Sequence, residues 1–161
     1  MERSFEIVWR EAPIGIAYVD ADGSFKNANP ALCDFLEFAE PELKAKKWSQ
    51  ITHPEDVEVD VDLARDVRAG AIPGYNLVKR YLTKRGRVVW ATIRVIGVWD
   101  EQKQFLGYVV FVAECDPLEA VQRSPETRPH FKWAAVKEYW IQIVFFIGVI
   151  SAIAAEILKK R

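Results

Sequence analysis

In the first 116 residues, hydrophobic and polar residues alternate with two periodicities, one typical of helices and one typical of strands. Apolar residues at helical spacing predict a short amphipathic helix over residues 3–12. Asn29 and Pro30 fit the N-cap and first position of a second helix, and His53-Pro54 begins a longer one that Gly70 ends. Strands are predicted at residues 14–20, 25–28, 75–83, 87–100 and 105–115. Two strands, a helical crossover and three further strands predict an α+β domain.

The last two predicted strands are apolar on both faces. Residues 88–98 are interrupted only by Thr92, Arg94 and Gly97, and residues 108–113 are apolar without a break. An antiparallel sheet with one face in water alternates more strictly, so we expect both faces to be covered. The crossover helices can cover one face, and the N-terminal helix or a partner must cover the other.

A different pattern begins at Tyr139. Residues 139–158 are apolar or small except for Gln142, Ser151 and Glu156. A helix of that length measures about 30 Å, the thickness of the hydrocarbon core of a bilayer. Aromatic residues precede the segment's apolar centre and three basic residues follow it, as expected of interfacial anchors. We therefore predict a single-pass transmembrane helix.

These patterns divide the chain into four parts. We expect an N-terminal amphipathic helix at residues 1–13 and a folded domain at residues 14–116. A proline-containing linker follows at residues 117–130, and a juxtamembrane and transmembrane helix at residues 131–161. The first residues are charged and lack the apolar core of a signal peptide. The folded domain is therefore expected on the cytoplasmic side of the membrane.

Small residues in the predicted membrane helix form a stripe that favours close approach of another helix. We expect this stripe to dock on other membrane protein subunits, with Glu156 hydrogen-bonded there. The alternative is that the polar residues only reach the membrane interface. The candidate docking residues are Gln142, Gly148, Ser151, Ala152, Ala155 and Glu156.

Four segments carry a family resemblance. They are Ala12-Pro-Ile-Gly-Ile-Ala-Tyr-Val-Asp-Ala-Asp-Gly23, Asn29-Pro-Ala-Leu-Cys33, Ile51-Thr-His-Pro-Glu-Asp56 and Lys79-Arg-Tyr-Leu-Thr-Lys-Arg-Gly-Arg-Val-Val-Trp90. In this order and spacing they resemble a PAS domain of the S-box kind over residues 5–115. The resemblance implies a PAS-like five-stranded antiparallel sheet in the order 2-1-5-4-3, with helices over one face. It does not identify the function, because this fold hosts many functions.

The resemblance also implies a place for a cofactor, between the sheet and the helices. A photoactive flavin version has a cysteine in the short helix before the His-Pro turn, and residues 47–51 contain none. A haem version takes a histidine from the crossover helix, which has none between Pro54 and Gly70. We therefore expect no cofactor. Candidate residues for a pocket that takes a flat ligand are Tyr18, Phe35, Trp48, Val57, Leu77 and Trp90.

Two charged runs are interpreted as solvent-exposed surface. The acidic run from Glu55 to Asp66 includes Asp60, lacks the glycine of an EF-hand loop and fits a solvated helix face, so no metal site is expected. The basic run fits a polar hairpin tip, with contact to anionic headgroups or an acidic partner as the alternative. Its members are Lys79, Arg80, Lys84, Arg85 and Arg87. The 22 Lys and Arg residues balance 23 Asp and Glu residues, so nucleic acid is not an expected partner.

The sequence contains no nucleophile beside a base, no phosphate loop and no paired catalytic carboxylates, so no enzyme activity is expected. Our first hypothesis is a membrane-anchored PAS-like interaction module. It would be an accessory or scaffold subunit that docks on a larger membrane complex, for example a respiratory or photosynthetic one, through its tail and its sheet face. The alternative is a small-molecule or redox sensor that signals through a partner protein. A homodimer is a third possibility.

Overall fold

The computed structural model describes residues 2–116, with side chains from Phe5 onward, and its centre is an antiparallel sheet. The five strands are β1 (Gly15–Asp20), β2 (Phe25–Ala28), β3 (Gly74–Leu82), β4 (Val88–Trp99) and β5 (Phe105–Glu114). Their order in the sheet is β2-β1-β5-β4-β3, with β2 and β3 at the edges. This order confirms the one that the resemblance implied.

Helices lie at the start of the chain and between the second and third strands. They are α1 (Glu2–Glu11), α2 (Pro30–Leu36), α3 (Glu40–Lys44), a single 3-10 turn (Trp48–Ile51) and α4 (Pro54–Arg68). The four elements after α1 cross from β2 to β3 and pack on one face of the sheet, here called the inner face. The opposite face is called the outer face.

The main hydrophobic core lies between the inner face and the crossover helices. Its fully buried members include Leu32 and Leu36 on α2, Leu43 on α3, Val67 on α4 and Ile93 on β4. Helical periodicity alone would place Val57, Val61 and Ala64 of α4 on one buried face. Ala64 is buried, but its buried companions are Asp60 and Val67, whereas both valines are half-buried.

A smaller apolar cluster on the outer face explains the apolar character of β1 and β5 there. Ile16 and Tyr18 of β1 pack with Val98 and Val109, and Trp9 of α1 packs against them. The N-terminal helix therefore covers part of the outer face, which is one of the two solutions that the strand pattern required. Ile7 on the same helix remains 54% exposed.

Asn29 joins three elements through four hydrogen bonds. Its Oδ1 accepts from the backbone N–H of Ile16 at 2.8 Å and of Leu32 at 3.0 Å. Its Nδ2 donates to the carbonyls of Trp9 at 3.2 Å and Ile14 at 2.9 Å. The predicted N-cap of α2 is confirmed, and the same side chain also holds α1 against β1.

The open edge of β3 is closed at Arg80 by the first turn of α4. The Arg80 N–H donates to the Asp56 carboxylate at 2.7 Å, and the Arg80 carbonyl accepts from the N–H of His53 at 2.9 Å. The Arg80 guanidinium also bonds Asp56 and Glu55. Burial alone would raise the pKa of Asp56, but the hydrogen bonds from Arg80 outweigh it and lower that pKa below its usual range.

Asp56→Asn is expected to lower the free energy of unfolding at pH 7 by about 1 kcal/mol, because it removes the charge that Arg80 binds. Since the pKa of Asp56 is lowered on folding, its contribution is fully present above about pH 4 and disappears as the pH falls through the folded value. Urea titrations of both proteins should therefore converge in acid. A difference that stays constant down to pH 2 would contradict the assignment.

Among the described residues 2–116, none of the helices is both long and apolar enough to cross a bilayer. The predicted transmembrane helix at residues 139–158, the linker and the six candidate docking residues lie outside the described part of the chain.

Candidate functional site

A cavity of about 30 Å³ lies in the main core, between the inner face of the sheet and the crossover helices. Apolar side chains form most of its wall, among them Val19 of β1, Leu36 of α2 and Val95 of β4. Aromatic residues add Phe25, Trp48 and three tyrosines. A wall of this kind takes apolar or aromatic groups, with polar atoms only where a charged pair interrupts it.

That charged pair is Asp60 of α4 and Lys79 of β3, each 2% exposed. Lys79 Nζ lies 2.5 Å from Asp60 Oδ2 and 3.0 Å from Thr52 Oγ1. The Tyr75 hydroxyl donates to the other Asp60 oxygen at 2.5 Å. Charges of this kind are costly to bury unless they are paired and hydrogen-bonded, and here both conditions are met.

Two aromatic rings surround the Lys79 ammonium on its remaining sides. Nζ lies 4.3 Å from the centre of the Tyr81 ring and 5.1 Å from the centre of the Trp48 ring. Both rings also line the cavity. A cation held over aromatic faces gains electrostatic stabilisation from the ring quadrupoles, and most strongly where water is excluded.

The protonation states in this cluster follow from its burial and its charges. Burial and the Asp60 carboxylate raise the pKa of Tyr75 far above its usual value, so its hydroxyl stays a donor. Burial opposes the charge on Lys79, but Tyr81 and Asp60 outweigh it and raise the pKa of Lys79. The cavity wall therefore holds one ammonium and its counter-ion at neutral pH.

Comparison with known proteins identifies the family. The family model described as PAS fold matches residues 25–112, which is more than half of the chain. The chain belongs to the PAS fold family. Its members are sensory domains and typically non-catalytic. The match agrees with the resemblance carried by the four sequence segments.

One curated relative and two solved structures illustrate the similarity. The chain is 35% identical over 125 residues to the probable diguanylate cyclase DgcE of Escherichia coli (strain K12). The alignment covers 78% of this chain and only 11% of that protein. The chain thus spans about a tenth of the length of this relative, so the similarity concerns a PAS domain within a larger protein.

The structural neighbours share the fold at low sequence identity. The PAS domain of a protein from Colwellia psychrerythraea has a TM-score of 0.64 and 14% identity, over 71% of this chain and 96% of that one. The N-terminal domain of a diguanylate cyclase with PAS/PAC sensor from Marinobacter aquaeolei has a TM-score of 0.55 and 19% identity, over 63% and 94% of the two chains.

The six predicted pocket residues lie in several different environments in the PAS structure. Trp48 lines the cavity. Phe35 and Leu77 pack against the main core, and Val57 is half-buried on α4, but none of these three contributes to the cavity wall. Tyr18 belongs to the outer-face cluster. Trp90 pairs with Arg80, whose guanidinium lies 5.3 Å from its ring, and it also does not line the cavity.

The interpretation of the acidic run as a solvated surface was wrong for Asp60, and that of the basic run was wrong for Lys79. Asp60 shares a helix face with Ala64 and Val67, and Lys79 shares a strand face with Tyr75 and Tyr81. Helical and strand periodicity therefore contained the signal, because each charged residue stands in phase with buried neighbours. Attention to phase rather than to the density of charge would have placed both side chains on buried faces.

Arg80, Lys84 and Arg87 of the basic run form ion pairs at the surface of the PAS domain. Lys84 Nζ lies 2.7 Å from a Glu42 oxygen, and Arg87 lies 2.6 Å from Glu37. Hydrogen bonds from Thr83 and Arg87 lower the pKa of Glu37, and those from Lys84 and the Ala39 backbone lower that of Glu42. These contacts attach the β3–β4 hairpin to the segment around α3.

Cys33 of α2 is half-buried, and burial together with Glu40 and Asp34 raises the pKa of its thiol. Such a thiol is less reactive than an exposed one. Within residues 2–116, His, Cys, Asp and Glu side chains do not form a group of three that is arranged to hold a metal ion.

Proposed function

We propose that this chain is a non-catalytic PAS sensory module that takes a small molecule into the cavity beside Lys79 and Asp60. The observation that carries the proposal is the buried ion pair in the cavity wall. A core built for stability alone gains little from such a pair, because apolar residues of the same volume serve as well or better. A charged pair that faces a cavity is instead suited to recognise a ligand.

The same ion pair can transmit the effect of ligand binding to the surface of the domain. Asp60 belongs to α4 and Lys79 to β3, so their contact attaches the helix to the sheet. A ligand that changes this contact changes how firmly α4 is held, and a partner protein in contact with the helix senses the difference. The similarity to part of a probable diguanylate cyclase supports a signalling partner of this kind.

Filling the cavity tests the proposal. We expect small molecules from a library, screened by ligand-observed NMR against the full chain in mild detergent, to bind the wild type. Val95→Ile adds one methylene to the cavity wall and should weaken binding of those molecules by about tenfold, since overpacking costs about 1–3 kcal/mol.

Val88→Ile makes the same change on the same strand at a position that is 49% exposed, and it should leave binding unchanged. A library without any binder, or binders that ignore Val95→Ile, would contradict the proposed sensory site.

A second candidate is a membrane-anchored interaction module with its PAS domain on the cytoplasmic side. The observation that favours it is the apolar segment at residues 139–158. Under this proposal the chain stays with the membrane pellet after alkaline washing, and Gly148→Leu releases a co-purifying membrane subunit that Val149→Leu retains. If the chain were recovered in the supernatant of the alkaline wash, the proposed membrane anchor would be excluded.

A further inference from the structure

The present size of the cavity limits what it can bind. About 30 Å³ corresponds to two or three water-sized spheres, so it fits a molecule of about two or three non-hydrogen atoms. Each atom contributes a limited binding energy, so such a molecule binds with a dissociation constant of about 1 mM at best. Pockets for ring-shaped ligands usually have about 300 Å³ or more. A ligand that binds more tightly therefore needs space that a wall residue now occupies.

Trp48 is the wall residue that is able to move. Apart from Trp48 and Val110, every residue in the cavity wall is buried. Val110 belongs to β5, which is hydrogen-bonded to β1 and β4, so the sheet holds it in place. The backbone of Trp48 is also held, because its N–H donates to the Gly23 carbonyl at 3.1 Å and its carbonyl accepts from Thr52 Oγ1 at 3.0 Å. Its half-buried side chain can therefore turn towards solvent while the backbone stays in place.

The indole of Trp48 lies between the cavity and the solvent. It lines the cavity, is partly exposed, and packs between two different parts of the fold. On one side a Cβ atom added to Gly23 would lie 3.1 Å from Trp48 Nε1, so the indole packs closely on the β1–β2 turn. On the other side the ring centre lies 5.1 Å from Lys79 Nζ. Rotation of this side chain would open a flat space beside the ammonium, continuous with the cavity.

The ion pair restricts what can fill that space. Both Asp60 oxygens already accept hydrogen bonds, one from Tyr75 and one from Lys79. A charged ligand would find no counter-ion here, so a neutral ligand is favoured. Lys79 would lose the aromatic neighbour Trp48 when the indole leaves and keep Tyr81, and a flat aromatic ring restores the lost contact.

We propose that Trp48 is the gate of the cavity and that its ligand is a neutral molecule with a flat aromatic ring. The ligand displaces the indole and takes its place over the Lys79 ammonium, and therefore changes the surroundings of the ion pair with Asp60. The exchange makes and breaks no covalent bond and moves no proton. The inference rests on the proposed sensory function and names the ligand class of that site.

Fluorine NMR of the full chain in mild detergent tests the gate in the wild type. Incorporation of 5-fluorotryptophan labels all six tryptophans, and the Trp48 resonance is the one missing from the Trp48→Phe variant. Saturating phenol should give this resonance the H₂O-to-D₂O shift of a solvent-exposed indole. Trp90 is the internal control, because it lies over Arg80 outside the cavity and should not respond. Phenol that fails to bind, or binds without moving Trp48, would overturn the gate.

Cyclohexanol tests the ligand class. It is neutral and similar to phenol in size and in its hydroxyl group, but it has no aromatic face to place over Lys79. We expect it to bind the wild-type chain about tenfold more weakly than phenol. Equal affinities would show that the site does not select an aromatic ring.

Two alanine variants compare the gate with a tryptophan elsewhere. Trp48→Ala removes the side chain that must be displaced, so phenol should bind about tenfold more tightly than to the wild type. Trp90→Ala also removes an indole from over a cation, and it should bind phenol as the wild type does. Unchanged or weaker phenol binding by Trp48→Ala contradicts the gate.

These results are distinguishable from a failure of the sensory site itself. If library compounds bind and are sensitive to Val95→Ile while Trp48 does not move, the gate is wrong and the sensory site stands. If no compound binds in the cavity, the sensory site is wrong and the gate is wrong with it.

Discussion

Lys79→Met is expected to lower the free energy of unfolding by about 3–5 kcal/mol. The substitution keeps an unbranched side chain that is one atom shorter, but it removes the ammonium that lies over Trp48 and Tyr81 and leaves the Asp60 carboxylate buried without its cation. A domain of this size is stable by about 5–15 kcal/mol in total, so the variant should lie close to unfolding at 37 °C. Urea titration followed by tryptophan fluorescence measures the difference.

A double-mutant cycle shows that the loss comes from the unpaired charge. Lys79→Met combined with Asp60→Asn removes both charges, and the amide oxygen still accepts from Tyr75, so most of the stability should return. The control is Lys44→Met on α3, whose partner Glu40 is 40% exposed, and it should cost less than about 0.5 kcal/mol. If the double variant instead lost the sum of the two single losses, the buried pair would not be coupled.

Asn29→Ala is expected to lower the free energy of unfolding by about 3 kcal/mol. The side chain is fully buried, and its loss leaves the N–H groups of Ile16 and Leu32 and two carbonyls without partners. Each buried group left unpaired costs about 1–3 kcal/mol, partly recovered where water enters. Asn27→Ala alters an exposed asparagine of the neighbouring strand and should change stability by less than about 0.5 kcal/mol.

A conservative variant tests which partners of Asn29 hold the N-terminal helix. Asn29→Asp keeps the oxygen that caps α2 but replaces the donor that faces the carbonyls of Trp9 and Ile14. We expect faster hydrogen exchange in α1 while α2 stays protected. Equal loss of protection in both helices would mean that the Asn29 amide nitrogen does not hold α1 separately from the oxygen that caps α2.

Local rules account for the strands and caps that the sequence predicted. The Asn29-Pro30 pair marks the start of α2 because both residues act within their own turn. The Asp22-Gly23 turn is equally local, since Gly23 has a φ of 89° and Asp22 accepts from the N–H of Ser24. In both cases the residues that decide the structure are neighbours in sequence, so a pattern reveals them.

The cavity wall depends on contacts that no local pattern contains. β1 is apolar on both faces, so its sequence does not tell whether Tyr18 or its neighbours Ala17 and Val19 point inward. Asp60 and Lys79 stand on different elements, so the phase of each side chain indicates that it is buried but does not show that the two meet. Periodicity gives the two faces of an element, whereas the choice between them is made by tertiary packing.

The strand order has a consequence for how the domain forms. β1 lies between β2 and β5, so Ala17 pairs with Ala28 nearby in sequence and with Val110 near the other end of the domain. The hairpin β1–β2 and the consecutive strands β3, β4 and β5 can each form from local contacts. The two parts join only when β5 pairs with β1. This non-local pairing carries the greater loop-closure cost and therefore slows folding. During synthesis the domain therefore cannot close until its last strand has left the ribosome.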